Sequence, residues 1–148
     1  MKNIYLNIYK PNLSNLRKAK KSLENNNVIG LPTETVYGLA GNAYSDKSVQ
    51  KIFYLKKRPA FNPLIIHFKN LNDLKNDVIL NDNFLKLYKK LCPGPITFIL
   101  KKNSFSKVSK LATANKKTIA IRFPKHSIAR KLLKILKTPL AAPSANMS

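Results

Sequence analysis

The chain has 148 residues, 44% of them hydrophobic, which fits one globular domain and excludes a two-domain protein. Its 28 lysine and arginine residues against 6 acidic residues give a formal net charge of +22 at pH 7. Such a charge attracts phosphate groups on nucleotides, nucleic acid or an anionic membrane, and the net charge alone does not distinguish these partners. The lysines are spread along the chain, so a uniformly solvated basic surface explains the charge as well as a dedicated nucleic-acid surface does.

Cysteine content and apolar patterning indicate a cellular compartment. Cys92 is the only cysteine, which excludes an intrachain disulfide and a Cys-x-x-Cys metal site. The first residues lack the apolar run of a secretory signal, and no run approaches the roughly 20 apolar residues that cross a bilayer. We therefore expect a soluble, cytoplasmic protein with no membrane partner.

Helical and strand patterns alternate along the sequence. The predicted elements are a strand at residues 4–9, a helix capped by Asn12 or Ser14 and reaching Leu23, a strand at 28–31, a helix capped by Asp46 and ending before Pro59, a strand at 64–68, a helix capped by Asp82 and reaching Leu91, strands at 96–100 and 118–123, a helix at 127–137, and a strand at 140–142. This alternation predicts a single α/β domain with a twisted, mostly parallel or mixed sheet flanked by helices.

The common nucleotide and metal motifs are absent from the sequence. It contains no GxxxxGK[ST] loop, no GxGxxG and only 4 glycines, so any ATP is bound without a glycine-rich loop. The two histidines, His67 and His126, lie far apart and form no local metal-ligand pair. With only 6 acidic residues in addition, we expect no metal held by protein side chains alone.

Arg122 and His67 are unusual because each falls on a predicted strand. Apolar residues alternate along 118–123, which places Thr118, Ala120 and Arg122 together on the other face. That face is either the floor of a cavity or a solvated edge strand, and His67 is either a ligand contact or a satisfied core group. Arginine is scarce in this lysine-rich chain, so Arg58 and Arg122 are the best candidates for sites that need a bidentate donor.

Two hydroxyl-rich loops each follow an apolar strand. Residues 32–38 read PTETVYG and residues 143–146 read PSAN. Loops at the ends of strands in α/β sheets are where ligands bind, although the same residues also suit ordinary turns.

Five sequence blocks occur together in one order: LPTETVYGLAGNA, KKRPAFNPLIIHF, CPGPITFIL, TIAIRFPKH and PLAAPSANMS. Through them the chain, from about Val28 to Ser148, resembles the YrdC-type L-threonylcarbamoyladenylate synthase family. The resemblance implies a twisted sheet flanked by helices around a deep basic cavity. Family members usually continue past the SAN motif, so residues 1–148 are expected to form one YrdC-like domain that lacks the usual C-terminal segment.

The resemblance also implies an activity. The family joins L-threonine, bicarbonate and ATP into threonylcarbamoyl-AMP and pyrophosphate, with Mg²⁺ arriving on ATP. The product supplies the threonylcarbamoyl group that separate transfer proteins place on adenosine 37 of tRNA. Two alternatives stay open: a non-catalytic module that binds tRNA or double-stranded RNA, and an inactive truncated remnant of the family.

Roles for individual residues follow from the matched blocks. Lys57 and Arg58 are expected to face the ATP phosphates and to carry catalysis by neutralising charge, with no dedicated general base. The expected threonine and carbamate pocket consists of Thr33, Thr35, Tyr37, His67, Arg122 and Ala142. The expected ATP site consists of Lys57, Arg58, Asn62, Thr118, Ser144 and Asn146. The resemblance thus requires Arg58, Arg122 and Ser144 to meet in one cavity.

Overall fold

The structure, a computed structural model, describes residues 7–146. Its elements are α1 (Leu13–Glu24), β1 (Ile29–Leu31), β2 (Gly38–Asn42), α2 (Asp46–Lys56), β3 (Ile65–His67), α3 (Leu71–Leu74), α4 (Asp82–Leu91), β4 (Phe98–Lys101), β5 (Thr118–Arg122), α5 (Ser127–Ile135) and β6 (Leu140–Ala141). The first predicted strand, at 4–9, falls mostly outside the described residues, and residues 8–10 form no strand.

The strands form one six-stranded sheet within the described part of the chain, in the order β1-β2-β6-β3-β5-β4. Strands β3 and β5 run parallel, with His67 opposite Arg122. The other neighbouring pairs are antiparallel. The predicted α/β domain with a mostly parallel or mixed sheet is therefore confirmed in its mixed form.

Helices cover the two faces of the sheet unequally. Helices α2 and α4 pack on one face, where Ile52, Ile66 and Phe84 belong to a continuous buried core. Helices α1 and α5 pack on the other face over β1, β2 and β6, in a second core that includes Leu140. Because Leu140 pairs with His67, and His67 with Arg122, these two side chains lie on this second face, beyond the helices.

The part of the second face that the helices leave uncovered is formed by β3, β5 and β4. Ile99, which pairs with Ala120, is 71% exposed, and Thr118 on the same face is exposed as well. Arg122 is half-buried at the end of this strip. The alternation predicted for β5 is confirmed, since Ile119 and Ile121 are buried on the opposite face.

Two predicted helix caps are wrong by one residue. Ser45 rather than Asp46 caps α2, because its Oγ accepts a hydrogen bond from Ser48 N at 3.2 Å. Asn81 rather than Asp82 caps α4 in the same way. Both aspartates are the first residues of their helices, where a carboxylate is favoured by the helix dipole instead. Asn12 caps α1, as one of the two predicted alternatives.

The sequence patterns missed β2 and the one-turn helix α3. Strand β2 has the sequence GLAGN, whose glycines and alanine carry little strand signal. Gly41 is required there because a Cβ would collide with the Ser48 hydroxyl of α2 and lie 3.1 Å from Ile52 Cδ1. Helix α2 therefore packs close against β2 only because position 41 has no side chain.

Candidate functional site

The loop between β1 and β2 is held by its own threonines. The Thr33 hydroxyl donates to the carbonyl of Val36 at 2.6 Å and accepts from the backbone N–H of Thr35 at 3.3 Å. The two threonine hydroxyls lie 3.2 Å apart. Since β1 and β2 pair up to Leu31 and Gly38, the hairpin presents this loop at a fixed place beside the sheet.

Arg122 brings three segments of the chain together at the end of β5. Its Nε and Nη2 donate to the Thr97 hydroxyl at 3.3 and 3.1 Å, and its Nη1 lies 3.4 Å from the Thr35 hydroxyl. Thr97 is placed by the loop before β4, where Gly94 N donates to the carbonyl of Phe123 at 2.9 Å. A guanidinium has five N–H groups, so further donors of Arg122 remain for an anion.

His67 lies beside Arg122 on the neighbouring strand and is 2% exposed. Burial and the charge of Arg122 lower the pKa of His67 to about 4, against the opposing influence of Glu34 and of the backbone at Ile65 and Leu140. The imidazole is therefore neutral at pH 7. Its Nδ1 is buried and has no hydrogen-bond partner in the structure.

Glu34 is a functional candidate that the sequence analysis missed. Its Oε2 accepts hydrogen bonds from the backbone N–H groups of Lys125 and His126, at 3.1 and 3.4 Å, where α5 begins. Its Oε1 is buried without a partner, like Nδ1 of His67. The available signal was an acidic residue inside a hydroxyl-rich loop of a chain with only 6 acidic residues. His67 pairs with Arg122, and Glu34 precedes Thr35, whose hydroxyl contacts the guanidinium. Two unpartnered buried polar atoms on these residues indicate a site for a polar ligand.

The second hydroxyl-rich loop lies against the first. Ala145 N donates to the carbonyl of Tyr37 at 2.7 Å, and Ser144 pairs with Gly38. A Cβ at Gly38 would lie 3.3 Å from both Ala142 Cβ and the Pro143 carbonyl oxygen, so the approach depends on glycine. The predicted residues Tyr37, Ala142 and Ser144 are thus adjacent, with Asn146 exposed just beyond them.

Lys57 and Arg58 line a different concavity, of about 620 Å³, at the end of α2. Asn62 follows them in the loop beyond it. Lys57 has a left-handed backbone with φ of 48°. Arg58 donates to the carbonyls of Asn62 and Pro63 at 3.2 and 3.1 Å, which fixes its own loop. No hydrogen bond joins Arg58 to Arg122 or Ser144 among residues 7–146, so their meeting in one cavity stays a prediction.

Thr118 lies at the opposite end of β5 from Arg122, where it pairs with Lys101. Thr118 and Arg122 are four residue steps apart along an extended strand, which corresponds to about 13 Å. They share one face of the sheet without touching. The expected nucleotide role of Thr118 is therefore a prediction that depends on a ligand spanning that distance.

Among residues 7–146, no group of three or more histidine, cysteine or acidic side chains could hold a metal ion. In the same part of the chain, every helix is too short or too polar to cross a membrane.

The fold and this site define an α/β domain with Arg122 and a buried His67 side by side at the paired ends of β3 and β5. The chain belongs to the Sua5/YciO/YrdC family, whose model, described as telomere recombination, matches residues 21–148. Two relatives are named threonylcarbamoyl-AMP synthase. The protein from Pyrococcus abyssi is 40% identical over 136 residues, which are 90% of this chain and 39% of that protein. The protein from Psychromonas ingrahamii is 35% identical over 138 residues, which are 91% and 71%.

A solved structure is similar to this chain over nearly its whole length. The crystal structure of P. abyssi Sua5 complexed with L-threonine has a TM-score of 0.87 and 37% identity, and the match covers 95% of this chain and 41% of that one. The chain spans 39% of the length of the P. abyssi and Schizosaccharomyces pombe synthases that it matches.

Proposed function

We propose that the chain joins L-threonine, bicarbonate and ATP into threonylcarbamoyl-AMP and pyrophosphate, in the cytoplasm and as a step of tRNA modification at adenosine 37. The observation that carries the proposal is Arg122, fixed by Thr35 and Thr97 beside a neutral His67. Support comes from relatives named for this synthase and from a similar protein complexed with L-threonine. Separate transfer proteins would receive the product.

Threonine fits the polar atoms that lack partners in this site. Its carboxylate would bind the remaining N–H groups of Arg122 as a paired, charge-assisted contact. Its ammonium would satisfy Oε1 of Glu34, and its hydroxyl would donate to Nδ1 of the neutral His67. The three groups of threonine would thus meet three different side chains, and this arrangement would favour an amino acid with a hydroxyl.

The reaction requires two anions to approach each other. The threonine ammonium first loses a proton to solvent. The free amine then bonds to the carbon of bicarbonate, water leaves, and a carbamate is formed. A carbamate oxygen then attacks the α-phosphorus of ATP, and the bond to the departing pyrophosphate breaks. Like charges resist this approach, so oriented cations and donors lower the barrier.

The expected roles of the second group of residues belong to this proposal. Lys57 and Arg58 would neutralise the phosphates, with Mg²⁺ entering as part of the ATP substrate because few carboxylates are available. The remaining nucleotide contacts would come from Asn62, Thr118, Ser144 and Asn146, while Ala142 would belong to the threonine and carbamate pocket. This assignment requires one bound ATP to contact both the loop at residues 57–62 and the site around Arg122.

Pyrophosphate release tests the proposal. Purified protein with Mg-ATP, bicarbonate and L-threonine should release pyrophosphate, and the release should stop when threonine is omitted. Arg122→Ala should reduce the rate by about 100- to 1,000-fold, while Arg130→Ala, at an exposed position of α5, should leave it unchanged. Release that is indifferent to threonine would reject the synthase. A folded protein that binds threonine and releases nothing would identify an inactive remnant.

A second candidate, binding of tRNA or double-stranded RNA without catalysis, is favoured by the net charge of +22. Contacts spread over many lysines would weaken steeply with salt and would survive Arg122→Ala. Measuring tRNA binding between 50 and 300 mM NaCl separates the two candidates. Loss of RNA binding with Arg122 alone would contradict the diffuse basic surface.

A further inference from the structure

A second cavity, of about 630 Å³, shares no lining residue with the site described above. It lies where α3, the loop after β4 and the C-terminal end of α5 come together, and its residues include Tyr44, Phe68 and Leu136. The volume is within the range of small-molecule sites. Nothing in the proposed synthase reaction uses it.

The wall of this cavity is held in place by one buried carboxylate. Asp77 is 1% exposed and accepts hydrogen bonds from the hydroxyls of Tyr44 and Ser106, at 2.5 and 2.8 Å, and from the backbone N–H of Lys107 at 2.9 Å. Burial and the bond to Asp77 raise the pKa of Tyr44, so the phenol keeps its proton. The loop at residues 103–107 is thus ordered before any ligand arrives, which lowers the entropy cost of binding.

The charge around the cavity favours an anion. Four lysines line it, and of its two carboxylates Asp77 is already hydrogen-bonded while Asp73 pairs with Lys69 at 3.1 Å. Lys75, Lys107 and Lys137 are left with no carboxylate in ion-pair distance among residues 7–146. Three unneutralised ammonium groups around one concavity fit a phosphate group.

An exposed ring and two amides lie beside these lysines. Phe105 is 86% exposed although its backbone is fixed by a hydrogen bond to the Asn103 side chain at 3.2 Å. Asn72 and Asn76 line the same cavity and are exposed. A flat aromatic face stacks on a nucleobase, and amide groups bind base edges.

We propose that this cavity binds one nucleotide, with its phosphate among Lys75, Lys107 and Lys137 and its base against Phe105. The same chemistry is offered by a free mononucleotide and by an unpaired nucleotide within an RNA strand. The proposal is independent of the synthase reaction, because no residue is shared between the two sites.

Chemical shifts of backbone amides, followed on titration, test the proposal and locate the ligand. The probes are AMP, a single-stranded deca-adenylate RNA and inorganic phosphate. We expect AMP or the RNA to shift the amides of Phe105 and Lys107, with phosphate alone binding more weakly. Stronger binding of AMP would identify a free nucleotide as the ligand, and stronger binding of the RNA would identify a strand. Shifts confined to Thr35 and Arg122 would overturn the proposal, as would phosphate binding equal to that of AMP.

Matched variants separate a built site from general positive charge. A triple variant with Lys75→Gln, Lys107→Gln and Lys137→Gln should bind the tighter-binding of the two probes, AMP or the RNA, about tenfold more weakly. Lys86→Gln, Lys89→Gln and Lys90→Gln remove the same charge from the exposed surface of α4 and should change binding less than twofold. Phe105→Ser should weaken binding by about fivefold or more. Equal losses in the two triple variants, or no loss with Phe105→Ser, would refute the nucleotide site.

Discussion

Arg122 is oriented by two hydroxyls that belong to distant parts of the chain. The Thr97 hydroxyl accepts from two of its nitrogens and the Thr35 hydroxyl from a third. A guanidinium held in this way loses little further freedom when it binds a carboxylate. Under the proposed function, Thr97 would be a positioning residue that acts on threonine through Arg122.

Replacing Thr97 with valine tests this positioning role. Thr97→Val keeps the shape and removes the acceptor, so we expect the KM for threonine in the pyrophosphate assay to rise about tenfold, as for loss of a hydrogen bond to a charged group. The kcat should change much less. Thr97→Ser keeps the hydroxyl, so its KM for threonine should stay close to that of the original protein. An equal rise in KM in both variants would contradict the positioning role.

His67 makes the stability of the fold sensitive to pH. Its pKa is lowered from 6.5 to about 4 by burial and by Arg122, so between these values the unfolded chain binds more protons than the folded one. Stability is then lost as the pH falls from 6.5 toward 4, and at pH 5 the loss from this group is about 2 kcal/mol relative to pH 7.

Urea unfolding at pH 7 and pH 5 measures that loss. His67→Gln cannot take up a proton and should lose about 2 kcal/mol less than the original protein over this interval. His126→Gln is the matched change at the other histidine. This variant should lose as much free energy of unfolding between pH 7 and pH 5 as the original protein does. The same pH dependence in His67→Gln and in the original protein would show that another group is responsible.

At the scale of elements, β2 is the strand that the sequence patterns did not predict. It lies between β1 and β6 and packs on α2 through Gly41, so its presence depends on close approach rather than on side-chain pattern. Gly41→Ala should destabilise the protein by about 1–3 kcal/mol, as overpacking does in a filled core.

Gly30 is the matched control for that change. It lies on the neighbouring strand β1, and a Cβ there would meet nothing within 4 Å. Gly30→Ala should leave the midpoint of chemical unfolding nearly unchanged, because neither glycine has a positive φ. If Gly30→Ala destabilised the protein as much as Gly41→Ala, the packing argument would be wrong.

Patterns of apolar residues were enough to place most elements. Helices α1, α2, α4 and α5 and strands β3 and β5 follow their predicted positions within a few residues, since each has a clear buried face. Helix α3 is a single turn, too short for a periodic signal. The cap errors at Asp46 and Asp82 arose because aspartate suits both the cap and the first turn.

The site was less accessible from the sequence than the fold. Arg122 and His67 were each placed on a strand, but only the parallel pairing of β3 with β5 makes them neighbours. The contacts that complete the site join residues 25 positions apart for Thr97 and 91 for Glu34, and local patterns carry no information over such separations. The predicted roles of Lys57, Arg58 and Thr118 came from resemblance and stay predictions.

The whole molecule carries far more positive charge than its acidic residues can neutralise. Only 6 acidic residues face 28 lysines and arginines. The pairs Lys20–Glu24 and Lys69–Asp73 each join residues four positions apart at the surface, and such pairs add little stability. Mutual repulsion of the lysines therefore destabilises the compact state, and it is felt most at low ionic strength.

Added salt should therefore stabilise the protein. Raising NaCl from 50 to 500 mM shortens the Debye length and should increase the free energy of unfolding by about 1–2 kcal/mol. Thermal unfolding followed by circular dichroism measures the effect. An unchanged or lower Tm at high salt would show that repulsion among the lysines is not a net cost to the fold.

Glu34 links the loop between β1 and β2 to the start of α5. The amides of Lys125 and His126 donate to Glu34, so they can exchange their hydrogens with deuterated solvent only when that loop lifts away. Their exchange rates consequently report how often the loop opens, and a ligand that closes the loop slows them even though it touches neither residue.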